Sequence, residues 1–286
     1  MVFGVKTKEA EELHYVHRVV VAQKVGGDLQ PLLAAEPILP KESEEKGDTT
    51  AGHEGELTAA KRLVDKVLGL YGPRFVDVLT TDALYMNHPF VSYLHDRNKH
   101  LIARVKDERT TLYQEILALA KLTTPICGED RNGQLRYEIY DVPYLHQSMG
   151  WQIPLRGFLI IERTRHVKQR QITWHENRFL CATTLPRWQA DANVVRQIVH
   201  AKWGIENNGF LDLKQNWYLT HNYHHHPIAT FAVLLIQFLV YNLFYAYVFL
   251  QMKTYRFYDL TIQEVICEFC ISFWQQRQWL PKHWFG

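Results

Sequence analysis

Phe75-Val-Asp-Val-Leu-Thr-Thr-Asp82 is a short apolar run that ends in an acid. Its β-branched, apolar character predicts a strand over 75–80 that delivers Asp82 at its carboxyl end. Strand and helix alternate around it. Tyr15–Ala22 and Leu32–Leu39 read as strands separated by the Gly26-Gly27 turn, and 41–56 reads as a solvated loop. A helix is predicted from Glu56 to Leu70, because Leu57, Ala60, Leu63, Val64, Val67 and Leu68 share one face. His88–Arg97 follows as a helix and Leu101–Val105 as a strand. This alternation indicates an α/β fold, a sheet flanked by helices. In such sheets the carboxyl ends of the strands carry the chemistry.

The pattern changes after Val105. Leu135–Val142, Phe158–Arg165 and Asn177–Thr183 read as antiparallel strands, so 110–187 is expected to be a β-rich insertion. Helices resume near Ala192 and carry Lys202-Trp-Gly-Ile-Glu206. The expected division is 1–109, 110–187 and 188–286. A carboxylate at a strand end and another on a distant helix are two parts of a metal-dependent phosphoryl-transfer site, in which two cations sit about 4 Å apart. Each acid also has a plainer reading: Asp82 as a helix N-cap, Glu206 as a surface glutamate. Lys202, one turn before Glu206, and Lys214, two turns after it, favour the functional reading. Lysines beside a carboxylate keep it ionised and attract a phosphodiester.

Composition sets the outer limits. The 286 residues are 47% hydrophobic and 13% aromatic, enough for a substantial core. With 32 basic and 30 acidic residues the net charge is +2, so any nucleic-acid surface must be local. Four scattered cysteines suit a reducing compartment, and the first residues show no signal-peptide core. Pro227–Leu250 is apolar over more than the length of a membrane span. Its aromatic residues are spread rather than belted, which favours a fully buried central helix.

Other motifs are weaker. His221 and His224–His226 could hold zinc or nickel, but a polar loop is the simpler reading. Cys267 and Cys270 lack a second pair and read as buried thiols on a helix. Trp174, Trp188, Trp203 and Trp217 could stack on bases, but core packing and contacts within the insertion are the simpler reading for most of them. Arg163, Arg165, Lys168 and Arg170 form a basic run, either a solvated hairpin or a contact to the DNA backbone.

The chain resembles the DDE transposases of bacterial insertion sequences, the group with a β-rich insertion in a ribonuclease-H-like mixed sheet. The resemblance rests on Asp82-Ala-Leu-Tyr-Met-Asn, on Tyr15-Val-His-Arg-Val-Val-Val and on His200-Ala-Lys-Trp-Gly-Ile-Glu206-Asn. It implies that Asp82 is the second Asp of the family and Glu206 its Glu, both ligands of Mg²⁺ with Mn²⁺ as substitute. The helical signature Tyr-x2-Arg-x3-Glu-x6-Lys falls on Val199, Lys202, Glu206 and Leu213, with Lys214 one step beyond. Lys202 and Lys214 are thereby implied as DNA contacts, with Arg163 and Arg165 from the basic run. The implied partner is double-stranded DNA, both element ends and target. A homodimer is admitted, no membrane is expected, and the setting is the nucleoid of a bacterial cytoplasm. The implied reaction is in-line attack on phosphodiesters by water and then by the freed 3′-OH.

The start of the chain departs from the pattern. Residues 1–14 contain no Asp, so the resemblance implies that the first strand and any amino-terminal DNA-binding region are missing. Two alternative readings stand beside this one: a DNA-binding remnant without catalysis, and a membrane protein spanning 227–250.

Overall fold

The computed structural model describes residues 17–39, 54–145, 150–168, 171–221, 226–250 and 260–276. It forms two compact units, His17–Gly26 with Leu33–Ile205, and Met1–Val16 and Gly27–Leu32 with Glu206–Gly286.

The larger unit contains the α/β core. β1 (Val19–Gln23) and β2 (Leu32–Pro37) pair as a two-stranded sheet. The turn between them is made by Gly26 and Gly27, whose φ of 79° and 77° favour glycine. β1 is shorter than expected, and Tyr15 and Val16 lie outside the described residues. Most of the expected 41–56 loop also lies outside them. Helix α1 (Glu56–Tyr71) buries Ala59, Ala60, Leu63, Val64 and Val67. It stops at Gly72, where φ is 90° and the N–H reaches the Leu68 carbonyl at 2.9 Å.

β3 (Val78–Thr81) begins later than the predicted 75–80. Phe75 is instead spent on an exposed stack against Tyr71, with centroids 4.6 Å apart. α2 (His88–His95) is capped by Asn87, whose Oδ1 accepts from Phe90 N at 3.0 Å. β4 (His100–Val105) pairs parallel with β3, Thr81 opposite Ala103.

The 110–187 segment opens with a helix, α3 (Thr111–Ala120), capped by Thr110 and burying Leu112, Ile116 and Ala120. That 3.6-residue spacing was legible. Four strands follow: β5 (Ile126–Glu129), β6 (Leu135–Val142), β7 (Arg156–Lys168) and β8 (Gln171–Thr183). They join the core sheet, because β8 pairs antiparallel with β4. The result is one mixed six-stranded sheet of order β3-β4-β8-β7-β6-β5.

Side-chain alternation sorts the sheet into two faces. Ile102, Ile139, Phe158, Ile160, Phe179 and Cys181 pack with Val195 and Val199 of α4 (Ala192–Gly204). Leu101 and Ala103 pack with α1 and α2 on the opposite face, and Leu180 and Ala182 with α3. Each fully buried large apolar chain contributes about 1.5–3 kcal/mol. The sheet is flanked by helices on both faces, as the α/β reading expected.

The smaller unit holds the π-helical turn (Ile205–Phe210) from Glu206 on, α5 (Leu211–Asn216), α6 (Pro227–Leu250) and α7 (Ile262–Gln276). α6 is long and apolar enough to cross a membrane by length and composition. The fully buried central helix expected there is corrected. One face, Phe238, Tyr241, Phe244 and Val248, is buried, whereas Ile236, Leu239 and Leu243 are exposed. The buried face packs on Trp217 and Val265. Asn242, an interruption of the apolar run in sequence, clamps the Leu32 backbone in both directions, at 2.9 and 2.8 Å. Cys267 and Cys270 lie on α7 as expected but are exposed rather than buried, because the packed face of this helix runs through Val265.

Candidate active site

The site is assembled at the carboxyl end of β3. After Thr81 the chain turns into a 3₁₀ segment, Ala83–Tyr85, which holds Asp82 from its carboxyl side. Tyr85 is buried edge-on against Phe90, centroids 5.1 Å apart, and its hydroxyl donates to Glu56 Oε1 at 2.6 Å. Burial, reinforced by Glu56, pushes the phenol well above its ordinary range, so it remains a donor.

The Asp82 carboxylate makes no cap to this turn. It accepts a hydrogen bond from Lys202 Nζ instead, so the N-cap reading is not realised. Lys202 arrives there because of the helix repeat. α4 starts at Asp191, whose Oδ1 accepts from Val194 N at 2.9 Å. Its buried positions are Ala192, Val195, Val199 and Lys202, so the lysine continues the apolar stripe that packs on the sheet. Its aliphatic stem is buried and its ammonium reaches the strand end. The Lys202 side chain is 8% exposed and that of Asp82 51%. One partner is thus desolvated while the other faces water.

The remaining expected residues are distributed as follows. The Glu206 backbone lies in the π-helical turn, and its side chain is outside the described atoms. Lys214 is exposed on α5. Arg163 is committed to structure, with Nε 2.8 Å from Glu176 and Nη1 2.5 Å from Glu138, and so links three strands. Arg165, two residues on, is exposed. The Lys168 side chain and Arg170 lie outside the description, as do residues 222–225 of the histidine cluster. Trp203 packs against Phe179 and His200, and Trp217 packs in the smaller unit, as read. Trp188 departs from that reading, at 82% exposed.

A cluster that sequence reading passed over lies beneath α4. Glu162 is buried on β7 and accepts from Arg196 Nε at 2.6 Å and from His200 Nε2 at 2.7 Å. Arg196 also lies over the Tyr137 ring at 4.1 Å. The signal was present, since Glu162 has the same strand parity as Phe158 and Ile160. Arg196 and His200 are likewise one helical turn apart.

Burial alone would raise the Glu162 carboxyl, but the His200 hydrogen bond and the charges of His200 and Arg196 hold it below the ordinary 4.5. A depressed native value means that this stabilisation is complete above pH 4.5, the unfolded value, and is lost as pH falls through the native value. Urea midpoints measured from pH 6 to pH 3 should therefore fall less steeply for Glu162→Gln than for the unaltered chain. Parallel profiles would sink the assignment.

The chemistry of the Asp82 donor suits a hard divalent cation, since carboxylate oxygens are what Mg²⁺ takes. This carboxylate takes the Lys202 ammonium as its partner. Among the described residues, no group of three or more His, Cys, Asp or Glu side chains is placed to hold a metal ion.

No curated protein matches the chain. The family model of the Transposase DDE domain matches residues 47–243, which include Asp82, Lys202, Glu206 and Lys214. A match over more than half of the chain, on a mixed sheet with an acid at a strand's carboxyl end, places it within that ribonuclease-H-like fold. The chain belongs to the transposase DDE domain family.

Proposed function

We propose that this chain cleaves and joins phosphodiesters at insertion-sequence ends, with Asp82 and Glu206 as its Mg²⁺-holding carboxylates. The family acts in DNA transposition and works with divalent metal. The observation that carries the finer reading is Asp82 itself, held at the end of β3 with the buried Lys202 as its counter-charge.

A divalent cation on these carboxylates would activate the attacking oxygen and offset charge on the leaving one. The chain's own residues position the reaction. Tyr85 and Asn87 fix the backbone that follows Asp82, and Asp82 stays available because the turn does not use its carboxylate. Lys202 donates to that carboxylate and places positive charge where a phosphodiester must come. Lys214 and Arg165 are exposed cations suited to the DNA backbone. Arg163, tied to Glu138 and Glu176, supports the hairpin that carries Arg165.

The test is conversion of supercoiled plasmid carrying element ends to open circles. Nicking with Mg²⁺ or Mn²⁺ and none with EDTA is the expected result. Binding without nicking under either metal would overturn catalysis and leave a DNA-binding protein.

A further inference from the structure

Arg104 lies one residue beyond the Thr81–Ala103 pair on β4, as Asp82 lies one residue beyond it at the end of the parallel strand β3. Strand parity puts both side chains on the α4 face. Val78 and Ile102, even-numbered like Asp82 and Arg104, pack in the cluster that contains Val195 and Val199. The guanidinium lies beside two rings that touch each other, with Cζ 5.3 Å from the Phe179 centroid and 5.5 Å from that of Trp203. Its strand partner is Cys181, which is fully buried. Arg104 Nε is buried and has no hydrogen-bond partner.

Carboxylates on this face are otherwise engaged. Glu162 serves Arg196 and His200, and Asp82 serves Lys202. Among the described residues Arg104 forms no ion pair. An arginine cannot shed its proton, and a sheltered cation without an anion is costly. Its planar fork rests against the Phe179 and Trp203 rings on the sheet face that carries Asp82, and such a fork takes a phosphate with paired donors.

We propose that Arg104 binds a DNA phosphate beside Asp82 and positions the strand there for reaction. This rests on the reading that the Asp82 site takes DNA. The experiment is binding of a short fluorescein-labelled duplex to the full chain by anisotropy over a salt series.

The unaltered chain should give a linear fall of log affinity with log salt, and Arg104→Gln should flatten the slope by about 0.9, one phosphate's worth. A merely structural role would lower affinity or folded fraction without moving the slope. Arg104→Lys should keep the parental slope and bind several-fold more weakly, having charge without the fork or the stacking. If Arg104→Gln folds and retains the parental slope, the proposal is overturned while the DNA reading stands. If Arg104→Gln fails to fold, Arg104→Lys decides, and parental affinity in that variant overturns the proposal. If the unaltered chain shows no salt-dependent binding, the DNA reading fails and this inference falls with it.

Discussion

Asp82→Asn is expected to reduce metal-dependent nicking on the order of 10³-fold, about 4 kcal/mol in barrier. The substitution is nearly isosteric, so the 3₁₀ turn and the Tyr85 anchor should persist. What disappears is the negative charge that a hard cation requires. Two features of the site keep the test clean. Asp82 is half in water and does not cap its own turn, so its amide can be hydrated without a local backbone penalty. Lys202, which is buried, does lose the Asp82 charge, so a modest loss of stability should accompany the loss of activity. Both are read from purified protein, by the rate of open-circle formation and by the urea midpoint. A variant that nicks within tenfold of the parent would remove Asp82 from the catalytic centre.

Arg156→Leu should cost about 3–5 kcal/mol of stability, because it breaks a buried ion pair from one side. Arg156 stands at the start of β7, with Nη2 3.0 Å from Asp141 Oδ2. The two side chains are 9% and 8% exposed. Its Nη1 donates to the carbonyls of Leu185 and Ala190, each at 3.0 Å. These carbonyls belong to the connection between β8 and α4, so one guanidinium ties that connection to the sheet. Removing it strands the Asp141 carboxylate, to which the exposed Arg187 approaches only to 3.7 Å. It also leaves two carbonyls without a donor. The double variant Asp141→Leu/Arg156→Met should recover much of the loss, since replacing both partners removes the uncompensated charge. Chemical denaturation of the three proteins checks this. A loss below about 1 kcal/mol in the single variant, or no recovery in the double, would contradict it.

The elements that were legible in sequence owe their visibility to local periodicity. The α1 stripe from Leu57 to Leu68 and the alternation in β6 place their apolar faces without reference to anything distant. Asp82 was legible for the same reason, as an acid ending an apolar run. Where reading failed, the deciding energy came from partners far along the chain. Phe75 has the character of a strand residue but stacks on Tyr71 outside β3. The apolar run of α6 said nothing about which of its faces would be covered, and packing on Trp217 and Val265 covers only one.

The same division holds at the site. Sequence by itself determined the α/β alternation, the acid at the strand's end and the family to which these motifs belong, because these depend on residues close together in the chain. Tertiary structure alone decided that Lys202 serves the Asp82 carboxylate, that Glu162 binds Arg196 and His200, and that Arg104 meets the Phe179 and Trp203 rings. It also decided that strands 126–183 extend the core sheet, because β8 pairs with β4. Lys202 and Asp82 are 120 residues apart in sequence and meet only when α4 lies on the sheet. No local pattern encodes such a pairing, since it depends on long-range closure that only the packed core supplies.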